Sequence, residues 1–214
     1  MYIQNVSFKL SKYSPYFFKN LSFSLEKGKI HALQGKNGIG KSVLLGILSK
    51  KMPPQAILEG EISREKAFLV NQRYDWMVAD QFSFHENLRF ATMESYPRPF
   101  AFLQEGDDYS SLLEKFHINP QVPVYRLSGG QRQILSLLMV LQKKPQFLLL
   151  DEPTATLDEE NATMVFDFLK ALSEEKGLTF LVVCHDRDLL NTYTTGQKLF
   201  LEMADNGLRK VTVV

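Results

Sequence analysis

The chain has 214 residues, of which 44% are hydrophobic and 23% are charged. This composition is typical of one globular domain and excludes a disordered or fibrous protein. The formal net charge of +1 gives no indication of a nucleic-acid or anionic-membrane partner, and the single cysteine, Cys184, excludes an internal disulfide or a cysteine-based zinc site and fits a reducing compartment.

Two apolar runs, residues 134–141 and 147–150, are far too short to span a bilayer. Residues 1–12 lack the apolar core of a signal peptide. We therefore expect any membrane role to be exercised from the cytoplasmic side, through a partner.

The first third of the chain is predicted to be rich in strands. Period-two alternation and short apolar runs predict strands at residues 2–10, 21–25, 30–34, 61–62 and 67–70. A helix is predicted over residues 41–51, because apolar residues lie along one side of it and Pro53 ends it.

The middle of the chain, from about residue 74, has a mixed pattern rich in aromatic residues. It predicts helices near residues 85–93, 110–116 and 128–143. The last third returns to short strands, at residues 147–150, 179–184, 199–204 and 210–214, with a helix at 161–173. Strands that alternate with helices, some of them apolar throughout, predict an α/β fold with a parallel core sheet.

Residues 35–42 fit the phosphate-loop pattern G-x-x-x-x-G-K-[ST], with a predicted strand before the loop and a predicted helix after it. Glycines let backbone N–H groups approach phosphate oxygens, and the helix N-terminus adds a positive dipole end. Lys41 is expected to reach the β- and γ-phosphates, and the Ser42 hydroxyl to ligate Mg²⁺. The predicted nucleotide-binding residues here are Gly35, Lys36, Asn37, Gly38, Ile39, Gly40, Lys41, Ser42 and Val43.

Two acids, Asp151 and Glu152, end the apolar strand at residues 147–150. In phosphate-loop enzymes an aspartate at this place holds Mg²⁺, usually through water. A carboxylate at Glu152 can orient the attacking water or accept its proton. The alternative, two solvated acids that open a loop, is disfavoured by the phosphate loop in the same chain.

Leu127, Ser128, Gly129, Gly130 and Gln131 spell LSGGQ, and Arg132 and Gln133 continue the pattern. This is the signature of the ABC ATPase family, which the chain resembles over nearly its whole length. Physically, the serine, the two glycines and the helix N-terminus form a second anion site. Ser128 also suits the ordinary role of a helix N-cap, and the two roles do not compete.

The resemblance assigns roles to four further residues, by position in the family's order of motifs. Gln72, after the strand at 67–70, matches the Q-loop and is expected to help ligate Mg²⁺ and sense the transport partner. Glu152 matches the catalytic glutamate, and Asp158 the D-loop aspartate that links the two active sites. His185 matches the H-loop histidine, which contacts the γ-phosphate and the water.

The fold implied by the resemblance is a P-loop NTPase core with a mainly parallel sheet, an N-terminal antiparallel β subdomain and an inserted α-helical subdomain. The whole chain, residues 1–214, is expected to be one ABC ATPase domain, with the helical subdomain at about 74–143. ATP is expected to lie between residues 35–42 of one domain and 128–131 of a second, in a homodimer or with a close paralogue.

The implied activity is ATP hydrolysis that powers a transporter, with ATP and Mg²⁺ as ligands. The expected partners are membrane-spanning permease subunits and, through them, a solute-binding protein, with no nucleic acid. The expected location is cytoplasmic, peripheral on the inner face of the cell membrane. Two alternatives are a soluble ABC ATPase of DNA maintenance or translation and a nucleotide sensor without turnover. The soluble ATPase is disfavoured because this sequence shows neither the long heptad insertions of the DNA-maintenance proteins nor the second ABC domain that is usual in translation factors. The nucleotide sensor is disfavoured because Glu152 and His185, the residues expected to support hydrolysis, are both present.

Two positions depart from the family pattern. Val43 stands where Thr or Ser is usual, which removes a hydroxyl that often touches the α-phosphate and costs about 1 kcal/mol of affinity. The aromatic residue that stacks on adenine is assigned first to Tyr13 and second to Tyr16, although either could instead pack on the sheet.

A group of aromatic and methionine residues after Gln72 has two open interpretations. It either lines the groove that receives a helix of the membrane subunit or forms the small core of the helical subdomain. The group comprises Tyr74, Trp76, Met77, Phe82 and Phe84. Cys184 is interpreted as a buried strand residue and not as a nucleophile.

Overall fold

The computed structural model describes residues 1–70, 78–93, 109–204 and 207–214. Within these ranges there are nine strands: β1 (Tyr2–Lys9), β2 (Tyr16–Ser24), β3 (Ile30–Gln34), β4 (Ile57–Ile62), β5 (Ala67–Val70), β6 (Phe147–Asp151), β7 (Thr179–Val183), β8 (Lys198–Met203) and β9 (Arg209–Val213). The α-helices in the same ranges are α1 (Lys41–Leu48), α2 (Phe84–Ala91), α3 (Ser110–Lys115), α4 (Gly129–Leu141), α5 (Glu159–Lys176) and α6 (Arg187–Tyr193).

All nine strands belong to one mixed sheet, in the order β4-β1-β2-β9-β8-β3-β7-β6-β5. The run from β8 to β5 is parallel, whereas β4, β1 and β2 pair antiparallel. Strand β9 joins the two parts, since it pairs antiparallel with β8 and parallel with β2. The predicted fold class, a mainly parallel core with an antiparallel N-terminal β part, is confirmed.

The core sheet is buried on both faces, which explains why its strands are apolar throughout. In β6, Leu148 and Leu150 pack into the core cluster that contains α4 and α5. Phe147 and Leu149 point the other way, into the cluster formed with α1 and the antiparallel strands. Packing on both faces holds the core strands in place, and the loops that carry the predicted motifs begin at the ends of these strands.

Helix α1 ends three residues before its predicted end. Lys50 adopts a left-handed backbone conformation with φ 57°, which a helix interior does not allow. The Lys51 and Lys50 N–H groups then bond to the carbonyls of Gly46 (2.9 Å) and Ile47 (3.0 Å), the Schellman arrangement that closes a helix. Pro53 follows the end and does not cause it.

Helix α5 is longer than predicted at both ends, and both ends have local causes. Asp158 caps the start, with its side chain accepting the Asn161 N–H, and Gly177 ends the helix with a left-handed φ of 65°. Helix α6 was not predicted; Asp186 caps it by accepting the N–H groups of Asp188 and Leu189.

Strand β2 begins five residues before its predicted start. The pairing of β1 with β2 shifts register between Val6 and Phe8, and Asn20 has a left-handed φ of 52°. Because of this bulge, Phe18 and Leu21 are both buried although they are three residues apart, which breaks the period-two pattern. Strand β4 is also longer than the predicted pair of residues.

The middle of the chain contributes α2, α3 and α4 to the described structure. A capping box between Ser83 and Glu86 starts α2. The assignment of one domain with a helical insertion at 74–143 stays a prediction. Within the described ranges, none of the helices combines the length and apolarity that crossing a membrane requires.

His31 on β3 is a buried structural histidine. Its Nε2 donates to the Glu26 carbonyl (2.8 Å), while its Nδ1 accepts the Gln197 N–H (2.9 Å). A Cβ on Gly196 would lie 2.5 Å from the ring, so glycine is needed there. Burial lowers the pKa of His31, and the ring is therefore held neutral.

Candidate functional site

The predicted motifs meet because β3, β7 and β6 are adjacent and parallel. The carboxyl ends of parallel strands lie at one edge of the sheet, where ligands bind in open α/β folds. The phosphate loop follows β3, Asp151 ends β6 and Glu152 follows it, and His185 comes two residues after β7. Sheet order thus brings together residues that are more than a hundred positions apart.

Two glycines of the phosphate loop leave no room for a side chain. A Cβ on Gly35 would lie 2.6 Å from the Leu201 carbonyl oxygen. Gly40 has a left-handed φ of 114°, and its Cβ would lie 2.5 Å from the Phe17 ring. The G-x-x-x-x-G spacing is therefore required by the packing of the loop against β8 and β2, as well as by phosphate binding.

The N-terminus of α1 is open to an anion. Gly40 provides no side-chain cap, and the first turn carries no acidic residue. The Lys41 ammonium turns back into the loop and donates to the carbonyls of Gly35 (3.0 Å) and Lys36 (3.3 Å). Free N–H groups with a nearby ammonium are the standard means of binding phosphate.

Glu152 and His185 form a hydrogen-bonded pair, with 2.7 Å between His185 Nε2 and Glu152 Oε1. Glu152 has a left-handed φ of 54°, which is unusual for a side-chain-bearing residue and costs on the order of 1 kcal/mol. Its N–H donates to the Val183 carbonyl at the end of β7 (2.9 Å), which holds the strained turn beside His185. A carboxylate oriented by an imidazole can position a water molecule and accept its proton.

These groups line one cavity of about 470 Å³. Its walls comprise Phe17, Asn37, Gly38, Gly40, Lys41, Ser42, Val43, Asp151, Glu152 and His185. A larger cavity of about 670 Å³ lies against β8 and includes Arg187 and Glu202. Neither Ser42 nor Asp151 lines the larger one, so the smaller cavity is the candidate triphosphate site.

Ser42 and Asp151 are the residues of this cavity that could hold a divalent cation. A hydroxyl and a carboxylate are hard oxygen donors of the kind Mg²⁺ prefers. Mg²⁺ commonly takes one or two protein ligands and completes its shell with water and substrate phosphates, which suits this pair.

The signature residues lie elsewhere. Ser128 caps α4 by accepting the Gln131 N–H (3.2 Å), and the Gln131 side chain accepts the Ser128 N–H (3.2 Å) in return. Among the described residues, neither the 470 Å³ cavity nor the 670 Å³ cavity is lined by any of Ser128, Gly129, Gly130 and Gln131. Within one chain the two predicted phosphate sites are therefore separate.

Asn161, which the sequence did not single out, joins the signature to the D-loop. Its Oδ1 accepts the Ser128 hydroxyl (2.8 Å) and the Gly130 N–H (3.1 Å). Its Nδ2 donates to both carboxylate oxygens of Asp158 (2.9 and 3.0 Å). The only sequence signal was its place three residues after a helix-capping aspartate, which many residue types occupy.

The aromatic wall of the cavity is Phe17, not the predicted adenine-stacking tyrosines. The Arg209 guanidinium lies 3.6 Å from the Phe17 ring centroid, and its Nε donates to the Ile39 carbonyl (2.7 Å). Tyr13 is 93% exposed, and the Tyr16 ring lies under the Lys9 ammonium. The structure brings neither tyrosine to the cavity.

Other predicted residues are placed as follows. Gln72, Tyr74, Trp76 and Met77 lie outside the described residues. Phe84 is buried in the helical core, whereas Phe82 is exposed and packs on Phe90 with 5.1 Å between ring centroids. Cys184 follows β7 directly, is half-buried, and contacts the Thr154 hydroxyl at 3.5 Å.

The family model described as ABC transporter matches residues 18–155 of the chain. A lipoprotein-releasing system ATP-binding protein LolD 1 of Caulobacter vibrioides is 32% identical over 185 residues, 78% of this chain and 77% of that protein. The corresponding LolD of Leptospira interrogans is 32% identical, over 79% of this chain and 76% of that protein.

Solved structures with the same fold include components of ABC transporters. CbiO1 from Clostridium perfringens, described as part of the ABC transporter complex cbiONQ, has a TM-score of 0.72 at 22% identity and covers 93% of this chain and 83% of its own. The ATP-binding cassette MJ0796, solved as a dimer with ADP and phosphate, has a TM-score of 0.65 at 22% identity, with 94% of each chain covered.

Proposed function

Because this chain belongs to the ABC transporter family, as an ATP-binding and ATP-hydrolysing subunit, we propose that it binds ATP at residues 35–42 and hydrolyses it only in a head-to-tail pair with a second such domain. The observation that supports this pairing is that the phosphate loop and the signature lie at separate sites within one chain. The 470 Å³ cavity, called the phosphate-loop cavity from here on, is lined by Lys41, Glu152 and His185 but by none of the signature residues.

In this proposal Glu152 and His185 act on the attacking water. The imidazole holds the Glu152 carboxylate through the 2.7 Å bond, and the left-handed turn aims it into the cavity. Glu152 orients the water and accepts its proton, while His185 faces the γ-phosphate. Lys41 leaves its bonds to the loop carbonyls and neutralises charge on the β- and γ-phosphates.

Ser42 and Asp151 are proposed to hold Mg²⁺, with Gln72 as a further ligand predicted by its position in the family pattern. A bound ion would supply positive charge that offsets the negative charge of the phosphates. The hydroxyl and carboxylate on the walls of one cavity support this assignment.

For the base and ribose, Phe17 is a stronger candidate than Tyr13. Phe17 lines the phosphate-loop cavity, and Arg209 fixes its ring from one side. A base stacked on an aromatic ring gains about 1 kcal/mol. If Phe17 has this role, Phe17→Ala weakens ATP binding more than Tyr13→Ala does.

The proposed partners are a second copy or close paralogue and membrane-spanning permease subunits, with a solute-binding protein reached through the permease. The proposed location is the cytoplasmic face of the cell membrane, as a peripheral subunit. The exposed Phe82 and Phe90 rings on the helical part support an aromatic docking surface there. The alternative of a soluble ATPase in DNA maintenance or translation is not favoured, because the relatives are transporter subunits.

The test uses the Glu152→Gln variant of the full chain. Since glutamine cannot accept the proton, ATP hydrolysis is expected to decrease by at least about a hundredfold. ATP binding is retained, so ATP is expected to convert the variant from monomer to dimer in sedimentation velocity. Full hydrolysis by this variant, or a monomer at saturating ATP, would refute the proposed mechanism.

The matched control is Glu160→Gln, an exposed glutamate in the first turn of α5 that lines neither cavity. It is expected to keep wild-type hydrolysis.

The transport partner is tested separately, by affinity purification of the wild-type chain from detergent-solubilised membranes. Recovery without any multi-span protein would count against the permease assignment.

A further inference from the structure

Two hydrogen-bond donors of the signature converge on one oxygen that belongs to the same chain. The Ser128 hydroxyl and the Gly130 N–H, both at the N-terminus of α4, point at Asn161 Oδ1 from 2.8 and 3.1 Å. Donors at a helix N-terminus that converge on one point are the arrangement that binds a phosphate oxygen. In the single chain this point is filled by a carboxamide oxygen.

The orientation of the Asn161 carboxamide follows from its neighbours. The Gly130 N–H can only donate, and the Asp158 carboxylate can only accept, so the oxygen must face α4 and the nitrogen must face Asp158. The fit is close, since a Cβ on Gly130 would lie 2.8 Å from Oδ1. Asparagine meets a donor on one side and an acceptor on the other, which neither aspartate nor an apolar residue can do.

The Ser128 hydroxyl has one hydrogen, and Asn161 takes it. The hydroxyl oxygen already accepts the Gln131 N–H (3.2 Å). An ionised phosphate oxygen only accepts, so it can engage Ser128 and Gly130 only if both donors leave Asn161.

We propose that Asn161 Oδ1 is an internal placeholder in the signature phosphate site, which the γ-phosphate of an ATP bound to the partner domain must displace. Asp158 holds the placeholder through two bonds to Nδ2, so any contact that draws Asp158 across the interface also withdraws Oδ1 from the signature. Asn161 is thus a positioning residue that sets the strength of ATP-driven pairing. The inference rests on the proposed pairing of two domains.

The experiment measures ATP-dependent dimerisation of the full chain in the Glu152→Gln background, with Asn161→Ala and Asn161→Asp added. Removal of the placeholder is expected to tighten the ATP-dependent dimer about tenfold, because the two neutral hydrogen bonds to Oδ1 no longer have to be broken. Aspartate, a charged and stronger acceptor that also lies beside Asp158, is expected to weaken it by a similar factor. The expected order of dimer affinity is therefore Ala, then Asn, then Asp.

A merely structural role for Asn161 predicts the opposite order. Loss of the side chain would then weaken the dimer, and aspartate would restore it, because a carboxylate accepts the same two bonds and an acid suits the first turn of α5. A dimer with Asn161→Ala that is equal to or weaker than its parent overturns the placeholder. Adding Ser128→Ala is expected to shrink the difference between the Asn161 variants, and a difference that remains in full also overturns it.

Two controls separate this inference from the proposed function. Binding of a fluorescent ATP analogue to the monomer is expected to be the same in all Asn161 variants, since the phosphate-loop cavity does not include Asn161. Asn119→Ala removes an exposed turn asparagine, which accepts the Gln121 N–H (3.0 Å), and is expected to leave dimerisation unchanged. If the Glu152→Gln parent itself fails to dimerise with ATP, the two-domain function and the placeholder are both wrong. If the parent dimerises, the two-domain function stands, and the order of dimer affinity among the Asn161 variants tests the placeholder alone.

Discussion

The two helix N-termini that carry the phosphate motifs are in opposite states within one chain. At α1 the cap is a glycine, the first turn has no acid, and the residues around it line an open cavity. At α4 the serine hydroxyl and a glycine N–H are already satisfied by Asn161, which is itself held by Asp158. The first can take a nucleotide directly, and the second can do so only by an exchange of hydrogen bonds.

This difference gives a physical reason for a two-step cycle. Binding to the phosphate loop needs only the displacement of the Lys41 ammonium from two carbonyls. In the proposed pairing, binding at the signature displaces a well-oriented carboxamide, and the second domain supplies the phosphate. The chain is therefore expected to bind ATP as a monomer and to use the signature only when it pairs.

The largest expected effect separates the two regions directly. Lys41→Met removes the ammonium that the phosphates need, so binding of a fluorescent ATP analogue to the monomer is expected to weaken by about a hundredfold or more. Ser128→Ala is expected to leave this monomer binding unchanged. Titrations of both variants that shifted equally would mean that the two regions act as one site.

The next effect tests the packing of the phosphate loop. The Cβ of Gly40→Ala would lie 2.5 Å from the Phe17 ring, on a residue held at a left-handed φ. The substitution is expected to cost about 3 kcal/mol, lost from the free energy of ATP binding if the loop shifts or from the free energy of unfolding if it does not. Gly38 also has a left-handed φ, of 73°, but its Cβ would meet no atom within 4 Å, so Gly38→Ala is expected to cost about 1 kcal/mol. Calorimetric titration and thermal unfolding check both; equal costs would show that the Phe17 contact is unimportant.

A third prediction concerns the strand beneath the cavity. Burial lowers the pKa of His31, so below about pH 6.5 the unfolded chain binds more protons than the folded one. The free energy of unfolding is thus expected to be highest above that pH and to decrease as pH falls, by at most about 1.4 kcal/mol per pH unit for this one group.

Urea unfolding between pH 5.5 and 7.5 measures this slope. His31→Gln is expected to flatten it, whereas the exposed His85→Gln is expected to leave it unchanged. A variant at His31 with the full wild-type slope would show that other groups cause the acid sensitivity. Since β3 supports the whole core, this effect is expected to be independent of ATP pairing.

The smallest expected effect on ATP binding comes from restoring the hydroxyl that the family usually has at position 43. Val43 lines the phosphate-loop cavity, and Val43→Thr is expected to tighten ATP binding by about fivefold, the worth of one neutral hydrogen bond. The comparison variant is Val43→Ala, which supplies no hydroxyl. Binding by the threonine variant that is no tighter than wild type would contradict the assignment.

Much of the fold could be predicted from local signals. Strands β3 and β5 have their predicted bounds, and Ser128 caps α4 where the sequence indicated a helix start. The missed features have specific causes. The bulge at Asn20 broke the alternation of β2, the left-handed Lys50 ended α1 without a glycine, and α6 was too short for a periodic pattern.

By itself, the amino-acid sequence determined the family, the phosphate loop, the carboxylates and the signature, because each is a short run whose chemistry depends on neighbours along the chain. Only the tertiary structure decided that Phe17, with Arg209 over its ring, lines the cavity and that Asn161 fills the signature site. Those contacts join residues 170 positions apart, in Arg209 and Ile39, and 33 apart, in Ser128 and Asn161. Sheet order and helix packing create such contacts, and no local pattern records them.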